Sequence, residues 1–160
     1  MHFNPLLALA FASFSSAAAV ARDDKLVWTV SGLSATCSSD TSCSYTFSIA
    51  GPKSAGNNVP SFNAKCAAQI PGLDSTYRPC TLGPNSDGSP RPSAFDAYFF
   101  LDKSDARYNS LSVRMTYADG SSGQHRLVAG VSHPSYSEFQ GLNKKTFEMF
   151  PFVDGSASSA

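Results

Sequence analysis

The chain has 160 residues, 42% of them hydrophobic, and carries twelve Lys/Arg against twelve Asp/Glu for a formal net charge of zero. Such neutrality speaks against nucleic acid or an anionic membrane surface as partner, because both call for a basic face. The length suits one domain large enough to bury a real core.

At the N-terminus, Leu6 to Ala21 form a short apolar run rich in small residues. It ends in Ala19-Val20-Ala21, the small-x-small pattern read by signal peptidase, and Arg22-Asp23-Asp24 then turns abruptly to charge. We therefore expect residues 1–21 to be a secretory signal cut between Ala21 and Arg22. Residues 22–160 are expected to form a single extracellular domain. The run is short for a bilayer span, and no later segment is apolar for long enough, so no membrane insertion is expected.

Beyond the signal the dominant period is two. Leu26, Trp28 and Val30 share one face of a strand, which predicts Trp28 as a core residue facing Tyr45, Phe47 and Ile49. The next strand, Ser44–Ile49, sends those three inward and Ser44, Thr46 and Ser48 outward. Further strands are expected at Phe62–Gln69, Phe95–Leu101, Leu111–Tyr117, Gln124–Val131 and Lys145–Phe152. Asp96–Leu101 is apolar on both faces and reads as a central strand covered on each side. Gly51–Pro60, Gly83–Ser93 and Ala118–Gly123 carry turn residues. The best helix candidate is a single turn, Ser135–Gln140, and the polar tail 154–160 is expected to be disordered. Seven or more short strands with Gly/Pro turns predict an all-β, single-domain antiparallel barrel or sandwich.

Four cysteines behind a secretion signal, Cys37, Cys43, Cys66 and Cys80, predict two disulfides. Three connectivities are possible. Local spacing across turn-like residues favours Cys37–Cys43 and Cys66–Cys80. No Asn-x-Ser/Thr acceptor occurs, so no N-linked sugar is expected.

Four segments in order resemble a family of small secreted fungal proteins related to the major Alternaria allergen, which includes elicitors of the plant hypersensitive response. They are Val27-Trp28-Thr29-Val30-Ser31, Tyr45–Ile49, Phe62-x-Ala64-x-Cys66-x-Ala68-Gln69 with Tyr77 and Cys80, and Phe95–Asp102 running into Leu111–Tyr117. The resemblance implies a β-barrel, secretion by a filamentous fungus, no catalytic residues, and action on plant or animal hosts. It also implies the local Cys66–Cys80 bridge. The other pair, Cys37 and Cys43, departs from the allergen type, and no cysteine is left over for a covalent dimer. The chain is closer in these respects to the elicitor branch, and a monomer or non-covalent dimer is expected.

A search for chemistry returns little. There is no Gly-x-Ser-x-Gly elbow and no His-Glu-x-x-His zinc motif. His125 and His133 are the candidate bases, each better read as a loop-edge or strand-end histidine. Asp102 and Asp105 suggest a two-carboxylate glycosidase, yet lie in a polar, turn-like stretch. Neither cofactor nor metal is expected, and the chain reads as a non-enzyme. The dense cluster Phe147-Glu148-Met149-Phe150-Pro151-Phe152 is either sandwiched between layers or leaves an apolar surface for a partner. The expected function is that of an effector or elicitor binding a host extracellular protein or surface component. The alternative is an extracellular carrier of a small phenolic or other apolar ligand.

Overall fold

In a computed structural model, residues 26–39, 42–54, 58–71, 76–85, 88, 90–101, 109–118, 123–133 and 135–153 are described. The expected signal, its Ala21–Arg22 boundary and the tail 154–160 lie outside them.

Alternation drives the architecture. Strands β1 (Trp28–Ser39), β2 (Ser42–Gly51) and β3 (Phe62–Pro71) form an antiparallel meander in which every second side chain is buried. Between the pairs Ser31↔Ser48 and Ser34↔Thr46, β1 advances one residue more than β2. This bulge centres on Gly32, whose φ of 62° is costly for a side chain with a Cβ. The extra residue resets the phase, so Val30 and Leu33 both face inward. That is why the period of two in the sequence breaks at Val30-Ser31-Gly32-Leu33.

A second meander follows: β6 (Ala94–Phe100), β7 (Asn109–Ala118) and β8 (Gln124–His133). Short segments complete both sheets, namely β4 (Arg78–Pro79), β5 (Thr81–Leu82), β9 (Phe147–Met149) and β10 (Phe152–Val153). The first sheet runs β5-β3-β2-β1-β9 and the second β10-β8-β7-β6-β4. The protein is thus all-β, with two antiparallel sheets facing each other across one core. The ladders of the described residues do not close into a barrel.

The chain itself closes both seams. Arg78–Pro79 pairs with β6 in the second sheet, while Thr81–Leu82, two residues on, pairs with β3 in the first. Cys80 sits at the crossing: its N–H donates to the Phe95 carbonyl (2.8 Å) and its sulfur is bonded to Cys66 of β3. At the opposite seam β9 pairs with β1 and β10 with β8, with Phe150-Pro151 between them. Pro151 lacks the N–H a continuous ladder would use, so the expected single strand Lys145–Phe152 is split in two. The other disulfide joins Cys37 and Cys43, directly opposed across the β1–β2 hairpin.

Between the sheets the aromatic rings fall into two groups. Trp28, with 0% exposure, meets Phe62 edge-on (5.2 Å) and Phe95 (5.7 Å), while Phe62 stacks on Phe95 at 4.8 Å. Trp28 is therefore core, as expected, but its ring partners are Phe62 of β3 and Phe95 of β6 rather than the expected Tyr45 and Phe47 of β2. Tyr45, Phe47, Phe99 and Phe139 form the second group. Phe139 comes from the single-turn helix α1 (Tyr136–Gln140), capped by Ser135, whose hydroxyl accepts the Glu138 N–H. Buried against Phe99 and beside His133, it plugs that end of the core.

The turn after α1 covers the open edge of β1. Lys144 N–H donates to the Leu33 carbonyl (2.6 Å), and the Asn143 side chain pairs with both backbone groups of Ala35. Among the described residues no helix is long and apolar enough to cross a membrane.

Candidate functional site

The two histidines that sequence chemistry singled out are kept apart. His125 and His133 lie at opposite ends of β8, eight residues and about 26 Å apart at ~3.3 Å per strand residue. His125 sits 5.4 Å from the ring of Tyr117, its cross-strand partner, and His133 is 6.1 Å from Phe139. Each belongs to the end of a packed strand, and together they cannot serve one site. Asp102 and Asp105 lie outside the described residues. Among those that are described, no three His, Cys, Asp or Glu side chains gather where they could hold a metal ion.

Among the described residues the group moved far from its ordinary value is Tyr45. Burial pushes its phenol up to about 12, opposed in part by the positive charge of Arg78. Its hydroxyl is 3.5 Å from the Ala97 carbonyl and its ring stacks on Phe99. A phenol so placed stays neutral and locks the two sheets together, and it offers nothing to a substrate.

The outer face of the second sheet carries a polar and aromatic cluster. The guanidinium of Arg114 donates to Asp96 through Nε (3.2 Å) and Nη2 (2.8 Å) and lies 4.3 Å above the Tyr77 ring. The hydroxyls of Tyr77 and Ser112 bond at 2.8 Å, and Tyr77 sits beside Tyr98. These groups satisfy one another and clasp the segment entering β4 onto the sheet. Asp96–Leu101 was expected to be covered on both sides. Its inward residues are buried, but Asp96, Tyr98 and Phe100 on the other face are only half-buried, the first two beside this clasp.

The seam between β9 and β10 is different. Met149 is buried, yet Phe150 is 55% and Phe152 61% exposed, the two large hydrophobics so exposed among the described residues. Alternation turns Phe150 outward after Met149. The switch of sheet at Pro151 then leaves Phe152 on the outer face beside its cross-strand partner Val128. Of the two readings of this cluster, burial holds for Met149 and an apolar surface for Phe150 and Phe152.

A groove of about 490 Å³ lies on the first sheet. Its floor is the cross-strand row Thr29–Ala50–Asn63, with the small Ala50 in the middle. Pro52 and Lys53 form one wall, held by the reciprocal Ser54–Val59 backbone bonds (3.0 and 3.2 Å) with Val59 buried. Pro84 and Asn85 form another, positioned by the Gly83 N–H on the Asn63 carbonyl (2.7 Å). The sequence offered no hint of this groove, because its lining converges from four separated segments.

No family model matches the chain, and no curated protein or solved structure matches it either.

Proposed function

We propose that this is a secreted binding protein of effector or elicitor type, which acts on a host extracellular component through its folded surface and without turnover. The observation that carries this reading is the exposed Phe150-Pro151-Phe152 seam on a body whose interior is already filled by aromatic rings. Removing two phenylalanines from water would supply the apolar centre of an interface, and aromatic residues are favoured as such anchors. Two disulfides and a tightly packed core suit persistence outside the cell. The carrier alternative would hold its apolar ligand in a barrel mouth or groove; the binding-protein reading is preferred because the rings of Trp28, Phe62 and Phe95 at one end and Phe139 at the other fill the space between the sheets.

The test is infiltration of purified mature protein into leaf tissue, scoring cell death. The native protein should be active, as should His125→Ala and His133→Ala, whereas reduced and unfolded protein should not. The double variant Phe150→Ser, Phe152→Ser should keep its melting temperature and lose the response. If either histidine variant lost activity with its fold intact, binding without turnover would be the wrong mechanism.

A further inference from the structure

The groove on the first sheet points to a second site, separate from the seam: we propose that it binds a short oligosaccharide bearing a carboxylate. Its volume falls within the range of small-ligand sites, about 300–1,000 Å³, and its lining is mixed in a way that selects a ligand class. Thr29 and Asn63 bring a hydroxyl and an amide, which both donate and accept hydrogen bonds, beside Ser61 and an Asn85 whose Nδ2 donates to the Pro90 carbonyl at 3.3 Å. Pro52, Pro84 and Ala50 interleave small apolar faces between them. A sugar ring has the matching chemistry, with hydroxyls round its rim and C–H groups on its faces. A lipid or an extended aromatic ligand would bury the Thr29 hydroxyl and the Asn63 amide without offering them a hydrogen bond, at a cost in affinity.

Charge narrows the class. Among the described lining residues Lys53 is the one that carries a charge, and its ammonium is a compact donor suited to a carboxylate. A phosphate-rich ligand would call for several cations or a cradle of backbone N–H groups. Outside the lining, Lys65 lies two residues beyond Asn63 on the same outward face of β3. Glu148 opposes Thr29 across the β1–β9 ladder and is the carboxylate on that row. An anionic ligand would be attracted by the first and repelled by the second.

The site is preformed. The Ser54–Val59 bridge and the Gly83–Asn63 bond hold Pro52, Lys53 and Pro84 beside the floor before any ligand arrives.

Calorimetric titration of the intact secreted protein with a short oligogalacturonate tests the proposal, with a neutral cello-oligosaccharide of equal length as comparison. Binding to the uronate should be saturable and should weaken as salt is added. Ala50→Tyr fills the groove from an exposed strand position and should abolish binding at an unchanged melting temperature. Lys53→Gln should weaken binding about tenfold, equivalent to ~1.4 kcal/mol, and Glu148→Gln should strengthen it. Absence of binding, or binding indifferent to Ala50→Tyr, would overturn the site. Equal affinity for the neutral sugar, or no response to Lys53→Gln, would overturn the carboxylate as the recognised group. Each of these results is independent of whether the Phe150/Phe152 seam acts on a host.

Discussion

Tyr45 and Phe99 stack across the core with ring centroids 4.3 Å apart and planes 14° from parallel, joining β2 of one sheet to β6 of the other. The stack keeps the Tyr45 hydroxyl in an apolar setting, where ionisation is disfavoured, and this has a consequence for alkaline stability. The folded-state value of about 12 lies above the ordinary 10, so the unfolded chain gives up the proton first. Stability is therefore full below pH 10 and falls as pH rises from 10 towards 12. The loss approaches about 2–3 kcal/mol for a shift of this size. Denaturant titrations at pH 9 and pH 11 should show the drop, and in Tyr45→Phe the share due to this residue should vanish. An unchanged slope in that variant would mean other tyrosines are responsible.

Gly51 is required by space rather than by backbone conformation. A Cβ there would stand 2.4 Å from Cε1 of Phe62 and 2.7 Å from Cδ1 of Trp28, both rings held by the core. Gly51→Ala should cost about 1–3 kcal/mol through overpacking. Trimming one obstacle tests the cause. In the background of Phe62→Leu, adding Gly51→Ala should cost clearly less than in the wild type. Simple additivity would show that the clash is relieved elsewhere.

Asn143 stands in for a strand residue. Its Oδ1 accepts the Ala35 N–H at 3.0 Å and its Nδ2 donates to the Ala35 carbonyl at 3.2 Å, as a neighbouring backbone would. Asn143→Ala should cost about 1–3 kcal/mol, since both groups of Ala35 lose partners in a half-buried place. Exchange of the Ala35 amide, read by NMR, should quicken in that variant. Asn143→Asp keeps the acceptor but sets a carboxylate against the Ala35 carbonyl. Its deficit should shrink as pH falls towards about 4, because the acid beside the Ala35 carbonyl takes up its proton in the fold before it does in the unfolded chain, and can then donate.

The two disulfides should contribute unequally. Cys66–Cys80 closes a separation of 14 residues and fastens the seam where the chain changes sheet, with Cys66 fully buried. Cys37–Cys43 closes only 6 residues within a hairpin already paired in register. On loop entropy alone the first is worth about 3 kcal/mol and the second about 2, and cavity formation at Cys66 widens the gap. Paired Cys→Ala variants compared by thermal unfolding should rank in that order. A larger loss from the 37–43 pair would contradict it.

What could be read from the chain alone is what depends on near neighbours. Successive side chains on a strand point to opposite faces, so Tyr45, Phe47 and Ile49, or Leu111, Val113 and Met115, declare both a strand and its inner side without knowledge of its partner. The local cysteine pairs follow from the same short range, as does the single helical turn after Pro134. Tertiary structure decided everything in which a segment owes its conformation to a distant one. The two-residue strands β4, β5 and β10 have no pattern of their own and exist only through β6, β3 and β8. Phe150 and Phe152 look as apolar as Phe147 and Met149 do. Whether such a residue is covered depends on where the chain changes sheet, and that is settled by hydrogen bonds to β1 and β8. Asn143 reaches a strand edge 108 residues away in sequence, and the groove needs β1, β2, β3 and the segment at Pro84 in register before it exists. Alternation is a property of one strand, whereas an edge, a seam and a groove are properties of several, brought together only when the core is buried.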